Sequence, residues 1–127
     1  MKTITVYGCQ EEKRVWIGLG NMADTIVMNG ISWSALKAGA VDAAKEKHVP
    51  AVTREGTALT VTVGSVIHPM EEKHYIEWIA VVTDTQIDVR YLQPGEEPQA
   101  AFTVQGPGEV YAYCNLHGLW KAAIPDA

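Results

Sequence analysis

Five side chains able to ligate a transition metal fall in three short segments of this sequence. They are Glu46-Lys47-His48-Val49-Pro50, His68-Pro69-Met70-Glu71-Glu72-Lys73-His74 and Cys114-Asn115-Leu116-His117. Together these hold all four histidines of the chain and one of its two cysteines. His48 and His68 lie near or beside a proline, which stiffens the backbone that aims the ring. His117 follows Cys114 by three residues, so both side chains can reach one ion. A structural zinc site closes at four ligands in a tetrahedron. A fifth protein donor points instead to a square-pyramidal transition metal with one open position. Imidazole with thiolate suits iron or copper, and an open position suits a small molecule that must bind and leave. The pattern of residues leaves the metal and the reaction open.

The elements that must position these donors are strands. Leu59, Val61 and Val63 alternate with Thr60 and Thr62, and Ile87, Val89 and Tyr91 alternate with Asp88 and Arg90. This is the period of a half-buried strand. Residues 75–82 are apolar on both faces apart from Glu77, as a central buried strand requires. Shorter strands are expected over 3–7, 14–19, 49–54, 101–104 and 110–114, with turn chemistry at Glu55-Gly56, Asp84-Thr85, Pro94-Gly95 and Gly106-Pro107-Gly108. Each donor segment sits at a strand end, where a rigid scaffold meets a loop. Many short strands at this spacing predict an all-β sandwich or barrel. Residues 34–47 have helical composition but Gly39 and no apolar stripe, and read as loop. Residues 1–37, rich in Gly, Met and Asn, read as a separate small unit.

A chain of 127 residues with 47% hydrophobic and 20% charged residues can build one packed domain with a small appendage. The net charge of -5 argues against non-specific nucleic-acid binding, which needs clustered Lys and Arg. It also means that an anionic substrate needs a local positive feature. Glu11, Glu12, Lys13 and Arg14 interrupt any signal-peptide core, and no window is apolar enough to span a bilayer, so a soluble cytoplasmic protein is expected. A reducing compartment disfavours a Cys9–Cys114 disulfide.

The three segments, extended to His68-Pro69-Met70-Glu71-Glu72-Lys73-His74-Tyr75-Ile76-Glu77-Trp78 and Cys114-Asn115-Leu116-His117-Gly118-Leu119-Trp120-Lys121, resemble the motifs of superoxide reductases, the desulfoferrodoxins and neelaredoxins. The resemblance covers about residues 38–127, in the same order and at similar spacing. It implies an immunoglobulin-like β-sandwich with a small N-terminal β appendage. It also implies one Fe(II)/Fe(III) per chain, with His48, His68, His74 and His117 as equatorial ligands, Cys114 as the axial thiolate and the sixth position facing solvent. The substrate implied is superoxide and the product hydrogen peroxide. Rubredoxin is the implied electron donor, and a homo-oligomer, dimer or tetramer, the implied assembly. Tyr7-Gly8-Cys9 resembles the start of the desulforedoxin-like unit of two-iron members, but Glu12 and Met28-Asn29 stand where further cysteines would fall. Residues 1–37 therefore read as a degenerate desulforedoxin-like segment with no second Fe(Cys)4 centre, and residues 38–127 as the catalytic domain.

Within that frame Lys47 supplies the positive feature that steers superoxide and can order a proton-donating water. Glu46 resembles the family's glutamate, which caps ferric iron and leaves on reduction. Backbone N–H groups of Leu116 and His117 are expected to tune the sulfur, with Asn115 shaping the turn. Trp78 and Trp120 read as packing, the charge run Glu71-Glu72-Lys73 as a solvated loop face, and Tyr111 and Tyr113 as outward or cross-strand residues. A blue-copper protein shares the strand-end Cys and following His. It wants an axial Met, which 118–122 lack, and would leave two histidines spare. A superoxide dismutase must also oxidise superoxide, a half-reaction ill-suited to a thiolate-ligated iron. A plain interaction module would bind no metal.

Overall fold

In a computed structural model, residues 2–127 are described, and eleven strands carry nearly all the regular structure. They are β1 Ile4–Cys9, β2 Glu12–Leu19, β3 Thr25–Met28, β4 Ile31–Ala35, β5 Pro50–Glu55, β6 Ala58–Val63, β7 Ile76–Thr83, β8 Ile87–Tyr91, β9 Gln99–Thr103, β10 Gly108–Cys114 and β11 Gly118–Ala123. One helical turn, α1, spans Lys45–His48. The expected all-β sandwich is present. A sheet ordered β11-β10-β7-β8 faces a sheet ordered β5-β6-β9. Between them lie Leu59, Val61, Val63, Ile79, Val81, Phe102, Val110 and Ala112, so the odd-numbered alternation read in β6 is the alternation that fills the core.

The N-terminal strands form their own sheet, β2-β1-β4-β3. Ile4 and Val6 of β1 pack on Trp78, Ala80, Val82, Tyr111 and Leu119, the outer face of the β7–β10 sheet. The appendage is thus a third layer, and it explains why β7 is apolar on both faces. One face of β7 meets the sandwich core and the other meets the N-terminal sheet. Tyr111 is buried under this layer, while Tyr113 stacks on Trp78 at 5.7 Å between ring centroids. Trp33, which had no role in the sequence reading, is buried in the appendage edge-on to Trp16.

Strands β3, β4 and β11 were not expected. Their four to six residues lack a long alternation and take their pairing from neighbours. Residues 36–44 are irregular, in keeping with the loop expected over 34–47, but β4 reaches Ala35 and α1 begins at Lys45. Among the described residues no helix is long and apolar enough to cross a membrane.

Antiparallel pairing brings five strand ends to one edge of the sandwich. β5 begins there at Pro50 and pairs with the end of β6 at Val63. β7 begins there at Ile76 and pairs with the end of β10 at Cys114, which in turn pairs with the start of β11 at Gly118. The four segments that lead into or out of these ends carry His48, His68, His74 and the Cys114–His117 loop.

Candidate metal centre

Each donor is fixed by its own local device. Cys114 and Gly118 are the last pair of the β10–β11 hairpin, leaving Asn115-Leu116-His117 as a three-residue loop. Gly118 takes φ +76°, which a side chain would strain, and this lets the hairpin close with both Cys114 and His117 at its tip. The β7–β10 register slips between Tyr113 and Cys114, passing over Glu77. The slip puts Ile76 and Cys114 together in the sandwich core, at the end next to the loops. His74 ends a tight turn in which Glu71 N–H donates to His74 O at 2.9 Å and His74 N–H donates to Glu71 O at 3.0 Å. His68 N–H donates to Val63 O at 2.9 Å, folding the segment after β6 back over the strand end. His48 closes α1, immediately before Val49 and the start of β5.

Two residues that the sequence reading left with minor roles or none hold these segments to one another. The Asn115 side chain accepts from Tyr75 N–H and donates to Lys73 O, both at 3.0 Å, joining the Cys114–His117 loop to the segment that carries His74. Gly64 lies so close to α1 that a Cβ there would meet Glu46 O at 2.7 Å and Val49 O at 2.9 Å. Val66 N–H donates to the same Glu46 carbonyl at 2.8 Å. A side-chain amide pairing across segments and a glycine in a close approach leave no periodic signal, so neither could be read from one sequence.

The four imidazoles stand at the corners of a square. Neighbouring ring centroids are 4.6 Å (His48–His68), 4.7 Å (His68–His74), 5.1 Å (His74–His117) and 4.9 Å (His117–His48) apart. The diagonal His48–His74 is 6.4 Å. Neighbouring rings are near-perpendicular, at 76° to 88°, whereas the diagonal pair is inclined by only 30°. Cys114 Sγ lies 3.5 Å from His68 Nε2 and 4.0 Å from His117 Nδ1. The facing atoms of His48, His68, His74 and Cys114 all lie within 4.8 Å of one another.

His48 Nδ1–H donates to Ala44 O at 2.7 Å and His68 Nδ1–H to Pro69 O at 2.6 Å. A neutral imidazole carries one proton, so these bonds leave both Nε2 atoms as bare acceptors. The two Nε2 atoms are nevertheless 3.1 Å apart, as are His48 Nε2 and His117 Nδ1. Lone pair facing lone pair at that distance is repulsive unless a cation lies between them. Two imidazole nitrogens ~2.1 Å from one ion and at right angles to it would be ~3 Å apart. His74 Nε2 is buried with no hydrogen-bond partner, an orphan of the kind a metal satisfies. The donor set therefore fits a transition-metal ion.

Electrostatics keep the donors in ligating form. Burial lowers the proton affinity of His48, His68 and His74, and His68, 1% exposed, is pushed down to about 4. The Lys47 ammonium adds to this at both His48 and His74, and so acts across the diagonal of the square. Burial pushes the Cys114 thiol up, opposed by backbone hydrogen bonds from His117 and Leu116. Those are the two N–H groups expected to address the sulfur, and bound metal would supply the remaining stabilisation of thiolate. Trp120 lies against His48 at 4.9 Å between centroids and 29° between planes, and its Nε1–H donates to His117 O at 3.0 Å. Glu46 and Lys47 are both exposed on α1.

Residues 40–123 match the desulfoferrodoxin family model. A desulfoferrodoxin of Syntrophotalea carbinolica is 42% identical over 120 residues, covering 94% of this chain and 95% of that protein. The crystal structure of the superoxide reductase from Treponema pallidum superimposes with a TM-score of 0.79 at 32% identity, over 94% of this chain and 98% of that one. The one-iron superoxide reductase from Giardia intestinalis gives a TM-score of 0.57 at 33% identity, over 65% of this chain and all of that one (100%).

Proposed function

The chain belongs to the desulfoferrodoxin family, and we infer from that premise that it is a superoxide reductase, acting at a single non-haem iron. The observation that carries this reading is the square of imidazoles with the buried Cys114 sulfur 3.5 Å from His68 Nε2. We propose that His48, His68, His74 and His117, together with Cys114, would hold the iron. Iron bound there would supply the one electron that, with two protons, converts superoxide to hydrogen peroxide.

The chain's own residues do the rest. The N–H groups of Leu116 and His117 hold charge on the Cys114 sulfur, and burial keeps water from it. Lys47 offers the substrate anion a local positive charge on a protein of net charge -5. The reach of its charge to both His48 and His74 supports a place beside the centre. From there the ammonium can order the water that delivers a proton. Glu46, one residue away and also exposed, would offer the centre a further carboxylate ligand.

Residues 1–37 read as a degenerate desulforedoxin-like unit, with residues 38–127 as the catalytic one. Cys9 is the single cysteine of the first unit, too few for a second Fe(Cys)4 centre. A rubredoxin is our choice of electron donor, because exposed Val66, Ile67 and Leu116 flank the ligand loops and give a small redox protein an apolar landing. Two unpaired thiols suit a cytoplasmic setting, and we assign a homo-oligomer as the working form.

Metal content and the optical spectrum of protein purified without added metal test the reading. One iron per chain should appear, with a thiolate-to-ferric band that Cys114→Ser removes. Superoxide should be consumed without stoichiometric release of oxygen. Copper or zinc at one per chain would sink the iron assignment, and oxygen release would make the protein a dismutase.

A further inference from the structure

Trp120 of β11 is buried at 2% exposure and stands opposite Ala112 of β10, whose single methyl leaves room for an indole on that face. The turn at Ala38-Gly39 closes over it. Gly39 N–H donates to Leu119 O at 2.8 Å, and a Cβ on Gly39 would lie 3.9 Å from the six-membered ring. The indole makes two further contacts, each with a different donor of the metal centre. Its ring centroid lies 4.9 Å from that of His48 with 29° between planes, and its Nε1–H donates to His117 O at 3.0 Å. Burial of a tryptophan in this chain does not by itself bring a partner for the N–H. Trp33, equally buried at 2%, leaves its Nε1 without one among the described residues.

His48 and His117 adjoin in the square, 4.9 Å apart and at 88°, and each lacks one constraint that Trp120 supplies. Ala44 O holds His48 at Nδ1. One hydrogen bond fixes where the ring points but leaves it free to tilt about that bond, and a flat neighbour stops the tilt. His117 faces the centre with Nδ1, 3.1 Å from His48 Nε2 and 4.0 Å from Cys114 Sγ. Nδ1 is one bond nearer the main chain than Nε2, so a shift of the His117 backbone passes to the donor atom with little loss. That backbone lies in the three-residue loop between Cys114 and Gly118, and the indole N–H grips its carbonyl. The N–H of the same residue bonds the Cys114 sulfur, so one anchor serves two donors.

We propose that Trp120 is a positioning residue of the metal centre, its ring setting the plane of His48 and its N–H setting the main chain of His117. The His48–His117 side of the square is thereby fixed by a single side chain outside the donor set. This goes beyond the packing role expected of Trp120, and it rests on the five-donor iron site inferred above.

Trp120→Phe keeps an aromatic ring against His48 and removes the N–H, whereas Trp120→Leu removes both contacts. Trp33→Phe is the control, since it also shrinks a buried indole but deletes an N–H that has no partner. Iron affinity is read by competition with a chelator, and the symmetry of the site by electron paramagnetic resonance of the ferric protein. Denaturant midpoints of the iron-free chains report the loss of packing separately. Trp120→Phe should weaken iron binding ~10-fold and Trp120→Leu ~100-fold, each with a changed ferric signal, while Trp33→Phe stays within ~2-fold and keeps the signal. If Trp120→Phe does not fold, the benzothiophene analogue of tryptophan at position 120, with sulfur in place of the N–H, gives the same two readings. Wild-type affinity and signal in both Trp120 variants overturn the proposal and leave the iron site standing. A loss in Trp120→Leu alone overturns the role of the N–H. An equal loss in Trp33→Phe overturns the proposal, because any buried indole would then act alike. A wild type that binds no iron removes the site and the proposal together.

Discussion

Replacing Gly64 with alanine should disturb the metal centre without touching a ligand. The new Cβ would stand 2.7 Å from Glu46 O, 2.9 Å from Val49 O and 3.0 Å from the Lys47 carbonyl carbon. Carbon and oxygen in ordinary contact need ~3.3 Å, so α1 or the 64–68 loop must give by about half an ångström. All three obstacles are backbone, and no rotamer change relieves them. Moving α1 moves His48, whose ring is hung from Ala44 O and from its place against Trp120. Moving the loop moves His68 instead, through its bond to Val63 O. Overpacking of this kind costs ~1–3 kcal/mol, and a displaced ligand weakens metal binding ~10-fold or more. Competition with a chelator should show that loss, and the thermal midpoint should fall in both iron-loaded and iron-free protein. Gly56→Ala is the control. It strains a φ of +61° in open space, with nothing within 4 Å, and should cost stability alone. Wild-type iron affinity and midpoint in Gly64→Ala would refute the reasoning.

Lys47→Ala should lower the second-order rate with superoxide ~10-fold at low salt and flatten its ionic-strength dependence, leaving iron content unchanged; stopped-flow against salt checks this. Glu46→Ala should shift the absorption band of the oxidised protein while leaving that rate within about two-fold, compared by optical spectra of oxidised samples. Iron-free protein should lose stability on acidification. His68 titrates at about 4 when folded and 6.5 in the unfolded chain, so the unfolded state takes up the proton first and stability falls from pH 6.5 to 4, then levels. For this buried ring the loss is on the order of 3 kcal/mol, and denaturant midpoints measured across that range would show it. Iron should oppose the loss until the ligands themselves take up protons.

Residue identity and local period determined a large part of this protein. The donors are chemically committed wherever they lie, and the spacing of Cys114 and His117 is short enough for a single loop to present both. Alternation in β6 and β8 is also local, because side chains two residues apart share a face whatever the strand pairs with, and the sandwich followed from it. Tertiary structure decided what depends on partners distant in sequence. The doubly apolar β7 announced that both its faces were covered, yet only packing showed that the N-terminal sheet is the second cover. β3, β4 and β11 owe their extended form to neighbouring strands rather than to a period of their own. That four histidines stand at the corners of a square, and not merely near one another, is set by Asn115 bridging to Lys73 and Tyr75 and by Gly64 seating α1. Such contacts join positions 15 to 42 residues apart. A sequence records that an asparagine or a glycine is there, but not which backbone it will meet, because that choice is made by how the layers pack.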